Sequence, residues 1–366
     1  MIDFAKQFEE GAKAAEDFKV SGHFERVILC GMGGSAIPGE MISMLWLPNF
    51  NCYLQRGFGL PFWAGAKSLV LCTSWSGNTQ ESIFSFKAAI ENGIPVVAIT
   101  KGGELAKLAQ VHGTPLVILP NDSAPSRLGV GYMLAALLTL LNNSAIIDFK
   151  LPGGHSDSNS VAPQLRWVPR QELKPSTGHM EPSPVGPSFS SRIGNKFPLI
   201  YSSYQWRYLA RFWKIHFNES SKVHSFSNYF PEAAHNEIAG FTAPVPTLPW
   251  SLTPSAFGKV PPRPFVPKGP SNLGHGDGQL RHRDDYFPII LIDPDEDQAD
   301  RAKLEKFVSF LKGQKIDHQV VEINGSSRLE KILNNYNLAI SISFELAKSL
   351  GVDPLDAMTI DGFKKA

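Results

Sequence analysis

The chain has few cysteines, almost no net charge and no long apolar run. Its three cysteines, Cys30, Cys52 and Cys72, cannot form a framework of paired disulfides, and they lie in or beside predicted strands, so we expect reduced core residues. The 35 basic and 34 acidic residues nearly cancel and no run of like sign occurs, so nothing suggests a nucleic-acid or membrane-surface partner. No stretch reaches the ~18 apolar residues of a membrane span. Residues 1–18 predict an acidic amphipathic helix rather than a signal peptide, so we expect a cytoplasmic protein.

What the chain does have is enough apolar sequence for two domains. Its 366 residues are 43% hydrophobic, and domains of ~100–200 residues are usual. In the first part, short apolar runs alternate with stretches whose apolar residues recur at helical spacing. This alternation predicts a parallel sheet covered by helices, with strands buried on both faces. The predicted strands are RVILC (26–30), NCYLQ (51–55), SLVLCT (68–73), PVVAIT (95–100) and PLVILP (115–120).

The second part of the chain repeats this scheme less regularly. The fold class is therefore α/β, with one domain over residues 1–150 and a second of similar build over residues 196–366. Strands are predicted at FPLIYSS (197–203), around VHSFS (223–227), at FPIILID (287–293) and at HQVVEI (318–323), and helices at 204–217, 296–312 and 327–350.

Two segments fit neither pattern. Residues 152–188 contain 7 prolines and residues 243–284 contain 9. Proline lacks a backbone donor and fixes φ, so these segments cannot continue a helix or join the interior of a sheet. We expect residues 151–195 to be an irregular linker or insert and residues 243–284 to be an irregular segment of the second domain, and we expect neither to contribute to the core or to catalysis.

Small and polar residues gather where two predicted strands end. GMGGSAIPGE follows the first strand and SWSGNT follows the third. Ligands of parallel α/β sheets bind beyond the carboxyl ends of the strands, where helix N-termini offer unpaired N–H groups. Hydroxyls add donors for phosphate oxygens, and Gly77 lets the backbone come close. One such residue, Thr79 or Asn78, would be an ordinary N-cap, but three hydroxyls with an Asn and a Gly favour a site for a phosphate monoester.

The first of these loops also satisfies the dinucleotide-binding pattern G-x-G-x-x-G/A, through Gly31, Gly33 and Ala36. That pattern expects an acidic residue at the end of the second strand to hold a ribose. The sequence has Gln55 and Arg56 there instead. An NAD(P)-dependent oxidoreductase is therefore the less favoured alternative.

GMGGSA, SWSGNTQE and APSRLGVGY resemble the motifs of sugar-isomerase (SIS) domains, and their combination resembles the bifunctional phosphoglucose/phosphomannose isomerases. The resemblance covers residues 20–150, 196–242 and 285–366 and implies two SIS-type, flavodoxin-like domains. It implies that Arg127 stabilises the negative charge of an enediolate; read without the family, Arg127 would be a solvated cap or an ion pair. The residues that it implies for phosphate binding are Gly34, Ser35, Ser74, Ser76 and Thr79.

FNESSKVHSFSNYFPEAAHNEIAGF resembles the family's catalytic stretch, in which a His stands sixteen positions after a Glu. Glu219 and His235 have this spacing. The resemblance implies that Glu219 moves a proton between C1 and C2 through a cis-enediol and that His235 exchanges a proton during ring opening. Read without the family, Glu219 would be a surface residue at a helix end and His235 a histidine hydrogen-bonded in place. Glu232 and Glu237 are expected to orient their neighbours rather than to catalyse.

The ending GVDPLDAMTIDGFKKA also resembles that of the family, in which a lysine enters the active site. Lys364 is the matching position, and the resemblance gives it a part in substrate binding and catalysis. The neighbouring Lys365 leaves the register open by one residue. The alternative is a solvated lysine in a frayed tail.

These expectations describe an isomerase of sugar phosphates that needs no metal and no cofactor. It would interconvert glucose 6-phosphate and fructose 6-phosphate, and mannose 6-phosphate where the space around C2 allows. The resemblance implies a homodimer in which the histidine is supplied across the interface, and no nucleic acid or membrane partner is expected. The main alternative is an SIS-domain sugar-phosphate-binding regulator without catalysis, against which Glu219 and His235 argue.

Overall fold

The computed structural model of the chain describes residues 2–150, 189–242, 285–356 and 362. The predicted irregular segments 152–188 and 243–284 lie outside the described residues, as do Lys364 and Lys365. The described residues form two parallel β-sheets flanked by helices, which confirms the predicted α/β fold class. The limits of the two domains stay predictions. No helix in the described ranges is long and apolar enough to cross a membrane.

The first sheet has five parallel strands in the order β2-β1-β3-β4-β5. The central strands are buried throughout almost their whole length, as helices cover both faces. The two edge strands keep exposed and half-buried residues, so the prediction of burial on both faces is wrong for them. The strands are β1 (Arg26–Cys30), β2 (Cys52–Gln55), β3 (Ser68–Ser74), β4 (Val96–Thr100) and β5 (Leu116–Ile118).

The second sheet has four parallel strands in the order β7-β6-β8-β9. One of them begins later than predicted, at Phe226, because Asn218 accepts hydrogen bonds from the backbone N–H and hydroxyl of Ser225 and holds that residue against the preceding helix. The strands are β6 (Phe197–Ser203), β7 (Phe226–Phe230), β8 (Tyr286–Ile292) and β9 (Gln319–Glu322).

Nine α-helices connect and cover the strands of the described residues. One of them, Phe189–Ile193, lies within the segment 151–195 that was predicted to be irregular. The Phe189 ring packs against Trp213 and Phe287, with centroids 5.9 and 6.2 Å apart, so this end of the segment belongs to the core of the second half. The helices are α1 (Phe4–Ala14), α2 (Ile37–Met44), α3 (Gln80–Glu91), α4 (Gly103–Val111), α5 (Val130–Asn143), α6 (Phe189–Ile193), α7 (Arg207–Glu219), α8 (Gln298–Gly313) and α9 (Arg328–Leu350).

The largest apolar core lies between the two sheets. It joins the inner face of each sheet to the helices α1, α2, α5, α7 and α9. A second cluster fills the space between the outer face of the first sheet and α3 and α4, and a third lies between the second sheet and α8. The cysteines are free, with Cys30 and Cys72 buried and Cys52 half-buried, as expected of reduced residues in or near the core.

Both sheets are built by the same order of elements. A first strand, β1 or β6, is followed by a helix of the central layer, α2 or α7, and the next strands take the same places in each sheet. Because a helix in such a unit runs antiparallel to its strands, α2 and α7 each end near the amino edge of their own sheet. The end of α7 reaches Arg127, which follows the first sheet, and Trp46, beyond the end of α2, reaches Arg328 of the second half. In each half, the end of the central helix therefore reaches the carboxyl edge of the other sheet.

A buried carboxylate fixes these two helices to each other. Glu40 of α2 is fully buried and forms ion pairs with Arg211 of α7, at 2.7 Å, and with Arg56. Burial raises the pKa of Glu40, and the two guanidinium groups oppose that shift. A buried carboxylate without a partner would be costly, so the packing of α2 against α7 depends on both arginines.

Candidate active site

The small and polar residues predicted to bind phosphate meet at the carboxyl edge of the first sheet, between β1 and β3. We call this place, formed by residues 31–36 and 74–79, the first crevice. Strand order reverses there, since β2 lies on one side of β1 and β3 on the other, and such a switch point is where open α/β sheets bind ligands. The backbone N–H of Trp75 donates to the Ser35 hydroxyl at 2.9 Å, so the two loops are held together.

The start of α3 has no side-chain cap. Thr79 is the N-cap residue, but its side chain makes no capping hydrogen bond. Its hydroxyl instead accepts from the Ser74 hydroxyl at 2.9 Å, and Ser74 also accepts from the N–H of Gly77. The exposed Ser76 hydroxyl accepts from the N–H of Asn78. The first-turn N–H groups therefore receive no bond from their N-cap side chain, and they carry the partial positive charge of the helix.

Three glycines of the first crevice, Gly31, Gly34 and Gly77, have no room for a side chain. Gly77 has φ +71°, and a Cβ there would lie 1.7 Å from the carbonyl oxygen of Gly102. A Cβ on Gly34 would lie 2.3 Å from the Ser126 hydroxyl and 2.6 Å from the backbone nitrogen of Arg127. The loop after β1 thus rests directly on the turn that carries Arg127.

Arg127 and Glu219 form an ion pair beside these loops, although 92 positions separate them in the chain. Arg127 is only 2% exposed, and its Nη1 donates to Glu219 Oε2 at 3.0 Å. Glu219 is the last residue of α7, and its side chain keeps 25% exposure. The place of Arg127 is thus compatible with both an active-site residue and an ion pair, and the Glu219 carboxylate is not fully buried.

The remaining donors of Arg127 are held by residues that the sequence analysis did not name. Its Nε donates to the Ser220 hydroxyl at 3.2 Å and its Nη2 to the carbonyl of Pro354 at 2.7 Å. The hydroxyl of Tyr336 on α9 donates to the Arg127 carbonyl at 2.6 Å. Ser220 could have been found from its position next to Glu219, whereas no local signal distinguishes Tyr336 or Pro354, which are more than two hundred positions away.

Lys101 is a further cation at this edge that the sequence analysis missed. It directly follows β4, its backbone N–H donates to the carbonyl of Trp75, and its ammonium lies 4.5 Å from the centre of the Trp75 ring. Burial lowers the pKa of Lys101, and Asp122 opposes that shift. The position of Lys101 directly after a predicted central strand could have indicated it from the sequence.

The structure does not bring His235 to Glu219. His235 is exposed in a short 3-10 turn, Glu232–His235, that follows β7 at the carboxyl edge of the second sheet. Glu219 lies before β7, at the opposite edge, and the five residues of that strand carry the chain about 17 Å away. Glu237 accepts hydrogen bonds from the Tyr201 hydroxyl and the Asn228 amide, as expected of a residue that orients its neighbours. Lys364 lies outside the described residues.

A buried histidine stands behind the ion pair. His216 is fully buried on α7, and both ring nitrogens lack a hydrogen-bond partner among the described residues. Its ring packs against that of Tyr336 in a T-shaped arrangement, with the ring centroids 4.8 Å apart. Burial and, to a smaller extent, the charge of Arg127 lower the pKa of His216 to about 3, so the imidazole is neutral at the pH of the cell.

The chain has clear relatives. Residues 187–366 match the bacterial phospho-glucose isomerase C-terminal SIS domain. A bifunctional phosphoglucose/phosphomannose isomerase of Aquifex aeolicus (strain VF5) is 28% identical over 350 residues, which are 93% of this chain and 90% of that protein. The chain belongs to the bifunctional phosphoglucose/phosphomannose isomerase family. The predicted resemblance is thereby confirmed.

The chain is also similar to a protein that is named for another activity. A D-glucosamine-6-phosphate 4-epimerase of Sulfolobus acidocaldarius is 31% identical over 237 residues, 64% of this chain and 69% of that protein. A hypothetical protein of Thermus thermophilus has a similar solved structure, with a TM-score of 0.61 and 12% identity over 99% of this chain and 86% of that one. At this identity the structural likeness shows the fold alone. The phosphoglucose/phosphomannose isomerase family is thus established by sequence, and a solved structure of only 12% identity has a similar fold.

Proposed function

We propose that this protein is an aldose–ketose isomerase that interconverts glucose 6-phosphate, and mannose 6-phosphate, with fructose 6-phosphate. The observation that carries the proposal is the ion pair of the buried Arg127 with the half-buried Glu219, placed beside the two loops of the first crevice. A cation and a carboxylate next to an anion site supply the two things that an enediol reaction requires, stabilisation of charge and transfer of a proton. The relatives that carry the name phosphoglucose/phosphomannose isomerase support the choice of substrates.

The phosphate would bind at the start of α3. Ser74, Ser76 and Thr79 offer hydroxyls and the helix offers its first N–H groups, while Gly34 and Ser35 close the site from the side of β1. Both partners of the Ser74–Thr79 hydrogen bond can turn their protons towards phosphate oxygens. Binding of the phosphate would fix this end of the substrate and direct its reacting carbons towards Arg127.

Glu219 would transfer the proton between carbons. Its carboxylate takes the proton from C2 of the open-chain aldose and returns it to C1, while the hydroxyl proton passes from O2 to O1. The carbon chain forms a cis-enediol between the two transfers. Arg127 would stabilise the charge that grows on the oxygens. Because Arg127 pairs with Glu219 before substrate arrives, the substrate oxygens would take over part of the guanidinium and release the carboxylate as a base.

His235 would act from a second copy of the chain. Within one chain it stands at the far edge of the second sheet from Glu219, so it cannot reach the same substrate. Its exposure is suited to insertion into a partner's crevice, where it would exchange a proton with the ring oxygen during opening. We therefore propose a homodimer, in keeping with the family resemblance. Lys364 remains part of the proposal through the resemblance.

A coupled assay of the purified protein with fructose 6-phosphate tests this function. Glucose 6-phosphate and mannose 6-phosphate are measured separately, and formation of glucose 6-phosphate is expected. A parallel reaction with glucosamine 6-phosphate, monitored for its C4 epimer, tests the activity named for the Sulfolobus relative. Folded protein that converts none of these substrates but binds them would be a sugar-phosphate-binding regulator. Turnover that required NAD(P) would instead support the oxidoreductase alternative.

A further inference from the structure

The repeated order of elements places a second switch point in the molecule. Between β6 and β8 the strand order reverses as it does between β1 and β3. A cavity of about 540 Å³ lies there, which we call the second crevice. It stands at the opposite end of α7 from Glu219, and the 13 residues of that helix span about 20 Å. The residues that line it are Trp46, Tyr204, Gln205, Asp293, Asp295, Glu296, Asp297, Asp300, Gly325, Ser326, Ser327, Arg328 and Lys331.

The second crevice is closed to phosphate. The helix that corresponds to α3 is α8, and its start is already capped, because Asp297 accepts the N–H of Ala299 at 2.8 Å. A carboxylate of the protein thus occupies the place that α3 leaves to an anion. Five carboxylates and two cations line the cavity, so its field favours a neutral or cationic ligand.

An exposed tryptophan forms one wall of the cavity. Trp46 is 61% exposed and has φ +53°, a left-handed conformation that is strained for an aromatic residue. The Arg328 guanidinium lies between its ring and that of the buried Trp206, 3.6 and 4.4 Å from the two centres, and Arg328 Nε donates to the carbonyl of Met44. Since Arg328 covers one face of Trp46, the exposed remainder of the ring is held towards the cavity and solvent.

Two buried polar atoms at the wall have no hydrogen-bond partner among the described residues. They are Oε1 of Glu296 and Nη2 of Arg328. Glu296 is 8% exposed; burial raises its pKa, and the nearby Ser203 hydroxyl opposes that shift without reaching hydrogen-bonding geometry towards Oε1. One atom accepts and the other donates, so a ligand that both donates and accepts would satisfy the pair.

We propose that the second crevice binds a sugar without phosphate, and that an amino sugar binds there more tightly than the neutral sugar. The apolar C–H face of a pyranose would pack on Trp46, and its hydroxyls would donate to Glu296 and accept from Arg328. An ammonium group would gain from the surplus of carboxylates. The site spans both halves, since Trp46 follows α2 while the polar groups belong to the second sheet, and its ligand differs in charge from that of the first crevice.

Calorimetric titration of the full chain with glucosamine and with glucose tests this proposal. Glucosamine is expected to bind several-fold more tightly than glucose, and added NaCl should reduce that difference by screening. The substitution Trp46→Ala should weaken both sugars about fivefold to tenfold. Phe62→Ala is the matched control, because Phe62 is a fully exposed aromatic residue of the first half outside the cavity lining. Asp300→Asn should reduce the preference for glucosamine and leave glucose binding in place.

The substitution Ser74→Ala distinguishes the two crevices, and it should leave glucosamine binding intact. The proposal is wrong if neither sugar binds, if Trp46→Ala binds as the parent does, or if Ser74→Ala abolishes binding, which would place the sugar in the first crevice. The readout is binding and needs no turnover, so its failure is separate from failure of the isomerase assay. Equal thermal midpoints of parent and variants exclude loss of folding as the cause.

Discussion

The starts of α3 and α8 occupy equivalent places in the two sheets, yet they have opposite chemistry. Thr79 leaves the first turn of α3 without a side-chain cap, and Ser74 adds a hydroxyl beside it. Asp297 caps α8 with its own carboxylate. Both halves share the switch point, the central helix and the order of four strands, and the first sheet has a fifth strand, β5, in addition. We therefore expect a few loop residues to decide whether such an edge accepts an anion.

The contact between the halves is also unequal. The second half gives the first crevice a carboxylate, Glu219, through the end of α7. The first half gives the second crevice an aromatic ring, Trp46, just beyond the end of α2. A carboxylate can transfer protons, whereas an aromatic ring can only bind. We therefore expect the group that crosses between the halves to serve catalysis in the first crevice and binding in the second, whose own carboxylates come from the second half.

Removal of the carboxylate that crosses between the halves should have the largest effect. The substitution Glu219→Gln keeps an oxygen that can accept from Arg127 but removes the base, so turnover should fall about 10²- to 10⁴-fold while substrate binding is kept. Steady-state and binding measurements together check this. Glu91→Gln is the control, since Glu91 is likewise the last residue of its helix but is exposed at the far end of α3. Near-normal turnover of Glu219→Gln would remove Glu219 from its role.

The close approach of loops in the first crevice can be tested with Gly77→Ala. A Cβ at Gly77 collides with the Gly102 carbonyl, and the φ of +71° adds strain, so we expect a loss of more than about 3 kcal/mol in the free energy of unfolding. Gly93→Ala has a similar φ but open space around it, and should cost about 1 kcal/mol. Denaturant titration compares the two. Equal losses would mean that the loop has room to move.

Loss of the Ser74 hydroxyl should weaken substrate binding, whereas loss of a serine hydroxyl of the second sheet should not. Ser74→Ala should weaken binding of fructose 6-phosphate by about 1.5 to 3 kcal/mol, the range for a hydrogen bond to a charged oxygen. The matched variant is Ser202→Ala, which removes an equally buried serine near the carboxyl end of β6. Direct titration of both variants should show weaker binding in the first only. Unchanged affinity in Ser74→Ala would place the phosphate elsewhere.

The smallest effect concerns pH and the buried His216. Because its pKa in the folded chain is about 3 and that of an unfolded histidine is ~6.5, the unfolded chain binds the extra proton between these values. His216 therefore contributes to stability fully above pH 6.5, and this contribution is lost as the pH falls. His216→Phe keeps a ring against Tyr336 and should flatten the fall in stability by about 1.4 kcal/mol per pH unit below 6.5.

Chemical unfolding of His216→Phe at a series of pH values measures that slope. The same substitution at the exposed His112 should leave the slope as it is in the parent chain. An unchanged slope in His216→Phe would mean that, in the folded chain, a hydrogen-bond acceptor stabilises the protonated imidazole.

The sequence predicted most of the sheets because their signal is local. The run SLVLCT reads as a buried strand wherever it lies, and Gly77 with its hydroxyl neighbours marks a loop against a helix start. The late start of β7 was missed because it depends on the hydrogen bonds of Asn218 to Ser225. The support of Arg127 by Tyr336 was missed for the same reason, since it joins residues 209 positions apart. His235 shows the remaining limit: the resemblance implied that a histidine comes from a second chain, and the topology of β7 shows where His235 lies within one chain, away from Glu219.

The Glu40 clamp between α2 and α7 has a consequence for how the two crevices can change. It fixes to each other two halves of one polypeptide that repeat the same order of elements. In a symmetric pair of identical subunits, every substitution appears in both sites at once. Here each crevice is encoded by its own codons, so a mutation can alter the ligand preference of one edge without touching the other. The helix clamp preserves the shared frame while the two edges diverge.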